Sequence, residues 1–551
     1  MLTLREGLAR AASIAIPYAR LVTLRGLDTL YVLQLERYKP DRYRLWLANH
    51  RAALVPRREI IVQCLTLAVA SGMVNAGFDW RGPVLCWILT GFLLLRRYRS
   101  LQVSQRLQWT ARAIRVGLTA LGISIAAAGG ALLLVWSTYG SAVGTAIVGG
   151  IAALAVVGAF TPLIVLLATL ATLPWEGAVA KRYLAEAERR MRTYPGRVLG
   201  ITGSYGKTST KYVVADLLST RYRVLKTPAG VNTTMGITRI VREELQDDHE
   251  VFVVEMSAYG PGEIREVCDI VRPSLGILTA VGVQHLERFG TPERIAEAKY
   301  ELLAGLPAGA PAVINADDPV CLRLAERARA EGKRVLLYGM GEHGSGLAVR
   351  GAEVTVSARG SRFRVVTADG QTEKFDTKLL GRWNLSNILG GIAAALEWGV
   401  PLSAMPPAVA ALAPAPRRLE IREEGGVIRI LDVANANPRG AEMALEVLGQ
   451  FTGGSRILIT PGMVELGPIE EEENRRFGER AAAVCDYVVL VGPEQTRPIR
   501  QGLVEGGFPA ERVLVARGAD AVADLLAGIV RPGDILLYEN RLPDTYLEGA
   551  S

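Results

Sequence analysis

Long apolar runs dominate the first third of the chain, whereas the remainder alternates short apolar segments with amphipathic ones. Residues 60–78 carry almost no charge, and 84–95 repeat the pattern after an Asp79-Trp80-Arg81-Gly82-Pro83 turn. Residues 116–136 form a third run, closed by Trp136 and Tyr139 as interfacial aromatics would close it. Residues 142–173 are apolar for 32 positions with Pro162 inside. Two ordinary crossings need about 40 residues and a turn, so this stretch predicts one long or kinked helix. Four spans result, with the Arg-rich 96–115 loop and both chain ends on the cytoplasmic side. No ionisable residue falls deep in a span, which disfavours transport. Residues 1–56 have no clean apolar core and carry Arg throughout. They predict amphipathic helices on the cytoplasmic surface, with Leu21, Leu24, Leu27, Tyr31 and Leu35 on one side, or helices packed on the following domain.

After residue 176 the period changes. Short apolar strands are expected at 198–201, at 251–254 ending on Glu255, and at 275–278 leading on to His285. Amphipathic stretches follow the first and the last of them, one starting near Lys207 and another holding Lys299, fourteen residues past His285. Buried strands separated by helices imply an α/β sheet that is mainly parallel. The domains expected are amphipathic helices at 1–58, transmembrane helices at 59–175, a central domain at 176–413 and a last domain at 414–551.

Charge and composition narrow the class. Half of the 551 residues are hydrophobic, and 63 Lys and Arg face 55 Asp and Glu for a net charge of +8. The basic residues gather at the ends of apolar runs (Arg57, Arg58, Arg96, Arg97, Arg99, Arg106, Arg112, Arg115). A membrane surface fits them and nucleic acid does not. The five cysteines form no CxxC pair, which excludes a zinc ribbon and fits a reducing compartment.

The chemistry begins at Thr202-Gly203-Ser204-Tyr205-Gly206-Lys207-Thr208-Ser209. A glycine-rich turn between a strand and a helix turns backbone N–H groups toward an anion. Lys207 adds a point charge, and the Thr208 hydroxyl can bind Mg²⁺. Ile201 stands where the usual phosphate loop starts with Gly. Glu255, at the carboxyl end of its strand, lies where such folds place a metal ligand. Taken singly, a strand-end glutamate more often serves an ion pair, a loop histidine is more often just satisfied, and a helix lysine is more often solvated.

Together these residues resemble the Mur ligase family, the ATP-dependent amide-forming enzymes of peptidoglycan precursor synthesis, over roughly 195–540. The family's short phosphate loop matches 202–209, its metal-binding Glu matches Glu255, and its metal-binding His matches His285 in the run through Gly290. Its carbamylated lysine matches Lys299. Asn315-Ala316-Asp317-Asp318-Pro319 and Gly381-Arg382-Trp383-Asn384-Leu385-Ser386-Asn387 match further motifs, with Asn384 expected at the adenine. Arg418 and Asp432 match nucleotide contacts of the last domain. Asn232 and Gly236 match an Asn-rich loop, although a turn explains them as well. Asn435-Ala436-Asn437-Pro438 and Gly462-Met463-Val464-Glu465-Leu466-Gly467 are typical of the D-alanyl-D-alanine-adding branch.

The resemblance implies ATP, two Mg²⁺ ions and carbamylated Lys299, with Thr208, Glu255, His285 and Lys299 as metal ligands. The implied fold is a P-loop central ATPase domain and a C-terminal Rossmann-like domain, preceded here by an α-helical transmembrane domain where the family has its UDP-binding domain. The implied reaction activates a carboxylate as an acyl phosphate for attack by an amine, on a UDP- or lipid-linked cell-wall precursor peptide. Trp383, Ala280, Ala434 and Asn474 depart from common family residues, and the segment from Tyr538 to Asp544 replaces a Lys-Gly-Ser amine contact. Two other readings are a membrane ligase for another polymer, such as poly-γ-glutamate, and a silent scaffold for cell-wall enzymes. The complete last domain opposes the former, and intact Lys207, Glu255, His285 and Lys299 oppose the latter.

Overall fold

The computed structural model describes residues 4–49, 57–98, 107–139, 142–341, 346–434 and 436–541. Arg99, Arg106, Asn435, Leu542, Pro543 and Asp544, named above, lie outside them. The described residues of Met1–Val179 form one compact unit and those of Ala180–Leu542 another.

The first unit is helical: α1 (Leu4–Leu35), α2 (Pro40–Asn49), α3 (Arg57–Asn75), α4 (Arg81–Tyr98), α5 (Ala111–Tyr139), α6 (Val143–Ala159) and α7 (Thr161–Thr193), which runs on past Val179. On α5, Ala113, Val116, Ala120, Ser124 and Ala128 are buried, while Leu118, Leu121, Ile125, Leu133 and Leu134 are exposed. Among the described residues, α5 and α7 are long and apolar enough to cross a membrane.

Two expectations change in this unit. The stretch 142–173 is two helices, not one, because the first ends at Phe160 and Thr161-Pro162 opens the second. Proline is at home in a first helical turn, where its missing N–H leaves no bond unmade. The expected surface helices at 1–56 instead contribute to the unit's core. Tyr18 and Val22 of α1 pack with Val84, Trp87 and Ile151, and Leu30 and Leu33 pack with Val116 and Ile164. Ionisable groups are also buried in the unit: Arg25 of α1 pairs with Glu59 of α3 at 3.3 Å.

In the second unit, a sheet of nine strands among the described residues runs β2-β3-β1-β4-β5-β6-β7-β8-β9. These are β1 (Arg197–Thr202), β2 (Val224–Lys226), β3 (Val251–Glu255), β4 (Leu275–Leu278), β5 (Pro311–Asn315), β6 (Arg334–Gly339), β7 (Leu347–Ser357), β8 (Gly360–Thr367) and β9 (Thr372–Thr377). Pairing is parallel from β2 through β7 and antiparallel from β7 through β9. Continuous apolar strands such as Val251–Glu255 suit a sheet covered on both faces. Helices α8 (Lys207–Leu218) and α14 (Arg382–Glu397) cover one face. On the other face lie α9 (Thr234–Glu243), α10 (Glu263–Val271), α11 (Leu286–Phe289), α12 (Pro292–Ala304) and α13 (Pro319–Ala330).

After a short helix α15 (Pro406–Ala411), a second sheet runs β10-β11-β15-β12-β13-β14. Its strands are β10 (Glu420–Glu424), β11 (Val427–Asp432), β12 (Arg456–Thr460), β13 (Tyr487–Val491), β14 (Val513–Ala516) and β15 (Ile535–Glu539), all parallel but β10. Helices α16 (Pro438–Leu448), α17 (Glu470–Val484) and α18 (Arg497–Glu505) pack on one face, and α19 (Ala519–Ile529) on the other. Arg417 and Leu419, in the connection between the two sheets, both hold left-handed backbone angles.

Candidate active site

Parallel register places the functional strand ends level with one another. Ile201 pairs with Glu255, and Thr202 with Leu278, so the loop after β1 emerges between the ends of β3 and β4. Ligands of open α/β sheets bind outside such carboxyl ends. Thr202 Oγ1 donates to Met256 O at 2.9 Å, and Ser204 N donates to Ala280 O at 2.7 Å. The backbone at Ala280 thus anchors the loop although its side chain departs from the family residue. Gly203 and Gly206 hold φ of +149° and +78°, and a Cβ at either would overlap Thr279 Oγ1 or Asn387 Oδ1. Tyr205 and Ser209 complete the loop, and Thr210 Oγ1 ties the start of α8 to Asn387 Oδ1 at 3.1 Å.

Lys207 is buried and turned back on its own loop, donating to Gly203 O at 2.7 Å and Ser204 O at 3.1 Å. Burial lowers its pKa to about 8. An ammonium satisfied by two loop carbonyls is placed where incoming phosphate oxygens would compete for it.

Glu255 is 1% exposed. Its carboxylate accepts from Thr208 Oγ1 at 3.1 Å, Asn232 Nδ2 at 3.1 Å and Lys211 Nζ at 2.9 Å. Burial alone would raise its pKa, but Lys211 and Lys207 outweigh it and hold the group ionised. Lys211 escaped the sequence reading. Its signal was present, because a residue four positions beyond Lys207 shares that lysine's helix face.

His285 caps α11 with a left-handed φ of 55°. Its Nδ1 meets Glu465 Oε2, and Glu465 Oε1 accepts from Arg288 Nη2 at 2.6 Å. Burial keeps the imidazole below its usual pKa. Burial opposes ionisation of Glu465 as well, yet His285 and Arg288 bring its pKa down to about 2. Glu465 was visible only as part of a motif, since nothing local reveals a partner 180 residues away.

Lys299, 2% exposed on α12, makes no ion pair among the described residues. Burial, with Lys207 adding to it, lowers its pKa to about 7. A free amine is therefore abundant at neutral pH, and its reaction with CO₂ would supply a carboxylate-like oxygen ligand for Mg²⁺. Among the described residues no three His, Cys, Asp or Glu side chains converge as a ready-made metal cage. Mg²⁺ suits such a site, since it keeps several waters and phosphate oxygens and needs only one or two carboxylates.

Beside the loop lies a cavity of about 560 Å³ lined by Tyr205, Asp317, Asp318, Trp383, Arg439 and Glu446. Asn384 is held behind it, donating to Leu380 O at 2.8 Å and accepting from Asn387 Nδ2 at 3.3 Å. In the last domain, Asp432 is paired in register with Glu539. Burial raises both carboxyls, and Arg418 tempers each while also acting on Lys207. Asn474 braces the loop that bears Glu465, accepting from Met463 N at 2.9 Å and donating to Glu470 O at 2.9 Å.

The Mur ligase middle domain matches residues 201–395, and the Mur ligase glutamate ligase domain matches 417–538. A UDP-N-acetylmuramoyl-tripeptide–D-alanyl-D-alanine ligase of Mycobacterium leprae is 32% identical over 370 residues, 62% of this chain and 70% of that one. The enzyme of that name from Bacillus subtilis is 28% identical over 372 residues, 66% of this chain and 75% of that one. The crystal structure of MurF ligase from Thermotoga maritima in complex with ADP superposes with a TM-score of 0.58 at 26% identity, covering 67% of this chain and 82% of that one.

Proposed function

We propose that this chain, which belongs to the Mur ligase family of ATP-dependent acid–amino-acid ligases, adds D-alanyl-D-alanine to a muramyl-tripeptide cell-wall precursor. The observation that carries the reading is the level placement of the loop 202–209 and Glu255, with Lys207 at the loop's base. The names of the relatives and the motifs at 436–438 and 462–467 favour this substrate pair.

Lys207 and the loop amides bind the β- and γ-phosphates of ATP, and the cavity beside Trp383 takes the nucleoside. Arg418 and Asp432 hold the nucleotide from the last domain. Thr208, Glu255, His285 and carbamylated Lys299 are the groups that would hold Mg²⁺. When bound, Mg²⁺ neutralises phosphate charge and orients the acceptor carboxylate. The γ-phosphoryl group then passes to that carboxylate, its bond to the ADP oxygen breaking as the new P–O bond forms. The amine attacks the acyl phosphate carbonyl, releases phosphate and leaves an amide. Closure of the last domain would complete the site and keep water from the acyl phosphate.

The helical unit is read as a multi-pass anchor in the cytoplasmic membrane, with the ligase domains on the cytoplasmic side. The exposed Leu118, Leu121, Ile125, Leu133 and Leu134 of α5 support a lipid-facing surface. The acceptor is accordingly UDP-linked or lipid-linked.

The test is phosphate release by detergent-purified protein with Mg·ATP, a UDP-muramyl tripeptide or its lipid-linked form, and D-Ala-D-Ala against other amines. Release that requires both acceptor and D-Ala-D-Ala is expected. Indifference to every cell-wall acceptor overturns the reading, and activity surviving in Lys207→Ala and Lys299→Ala overturns the site. Removing residues 1–176 without changing turnover on a soluble acceptor would reduce the helical unit to a tether.

A further inference from the structure

The contact between Glu465 and His285 joins two domains. Glu465 lies in the loop after β12, whereas His285 and Arg288 lie between β4 and α12. One carboxylate takes both partners: Oε2 meets His285 Nδ1, and Oε1 accepts from Arg288 Nη2 at 2.6 Å. The backbones touch as well, Glu287 N donating to Glu465 O at 3.3 Å. The Arg288 guanidinium lies 4.9 Å over the Tyr259 ring, and that ring lies 4.5 Å from the His285 imidazole. Imidazole, guanidinium, phenol and carboxylate thus form one cluster, with the carboxylate supplied by the other domain.

Both ends of this contact are conformationally costly. His285 holds φ of 55° and Glu465 holds φ of 65°, a region non-glycine residues enter rarely. Such strain persists where surrounding structure over-determines it, and it clusters at functional sites. The loop bearing Glu465 is held by Asn474, whose Oδ1 accepts from Met463 N and whose Nδ2 donates to Met463 O, each at 2.9 Å. The carboxylate is therefore presented by a braced loop.

An imidazole that donates its Nδ1 proton to a carboxylate keeps its lone pair on Nε2, the arrangement that orients metal-binding histidines. We infer that Glu465 is a positioning residue: from the C-terminal domain it clasps His285 and Arg288, and so readies His285 for a divalent cation only while the two domains are together. The inference rests on the reading of His285 as a metal ligand. If the domains part, the carboxylate leaves with the C-terminal one, and His285 loses the group that sets its tautomer and orientation. Cation binding and domain closure are then one coupled equilibrium, with each favouring the other.

The test uses the full-length chain with Mn²⁺ as probe, its binding followed by electron paramagnetic resonance with and without ADP. Spin labels on the two domains report their separation. Glu465→Ala is expected to weaken Mn²⁺ binding about 10- to 100-fold and to widen the label distances. Glu465→Gln, whose amide oxygen still accepts from Nδ1, restores part of the affinity, and Glu471→Gln on the exposed face of α17 changes neither readout. If His285→Ala weakens Mn²⁺ and Glu465→Ala does not, the clasp is overturned and the metal reading stands. If His285→Ala leaves Mn²⁺ binding unchanged, the metal reading fails and the clasp fails with it. Should Glu465→Ala not fold, Arg288→Met removes one of the two anchors. A smaller loss of affinity with wider label distances then supports the clasp, and no change in either overturns it.

Discussion

Lys211 and Glu255 form an ion pair that solvent does not reach, with Nζ 2.9 Å from Oε2 and the side chains 0% and 1% exposed. The pair ionises the one carboxylate at the end of β3 and aims it beside the phosphate loop. A strand-end glutamate in an ion pair and one proposed to bind Mg²⁺ are here the same residue.

Lys211→Met leaves Glu255 buried without its nearest positive partner. Breaking a buried pair from one side costs about 3–5 kcal/mol, so the second unit's unfolding transition should fall accordingly. Adding Glu255→Gln should recover much of the loss, though not activity. A single variant as stable as the wild type would mean that water reaches the pair.

Carbamylation of Lys299 should follow its lowered pKa. With a value of about 7, the free amine predominates above that pH and the ammonium below it. Protein in ¹³C-bicarbonate should show a carbamate resonance at pH 8 that fades as pH falls below 7 and is missing from Lys299→Ala. A resonance that first appears near pH 10 would place the lysine in solvent.

Gly206→Ala puts a methyl group against Asn387 at a φ of +78°. The phosphate loop must then shift, and ATP-dependent phosphate release should fall by at least about 100-fold, with the helical unit unaffected. Near-normal turnover would show that the loop adapts.

Trp383 lines the cavity beside Tyr205, their ring centroids 6.3 Å apart and set edge to face. If the base stacks there, Trp383→Ala should weaken ATP binding by about 1–3 kcal/mol. The loss should appear in KM more than in kcat. An unchanged KM would place the base elsewhere.

The sequence was most legible where function is written in short segments. The strands at 198–201, 251–254 and 275–278, the turn at 202–209 and the helix from Lys207 all follow from local period and glycine placement, and the structure has each. What escaped was set at a distance. The Glu465 partnership spans 180 residues, and the antiparallel extension from β7 to β9 depends on pairing that no single strand announces. The apolar run at 142–173 looked continuous because hydropathy does not register a break one residue long, although Pro162 marked it. The burial of α1 was missed for a related reason: its arginines argued for a surface, yet Arg25 is buried with Glu59 as its partner. Lys211 is legible from spacing alone, one helical turn past Lys207.

The placement of β15 has a consequence for how the protein is made. Although last in sequence among the described strands, it sits between β11 and β12 at the centre of the second sheet. The nine strands of the first sheet are all synthesised by residue 377, so that sheet can form while translation continues. The second sheet cannot. Until residues 535–539 emerge, β11 and β12 present open edges to one another across a gap, the kind of edge that recruits other chains. A nonsense codon between β12 and β15 should therefore yield an aggregating product, not a soluble one that has merely lost activity.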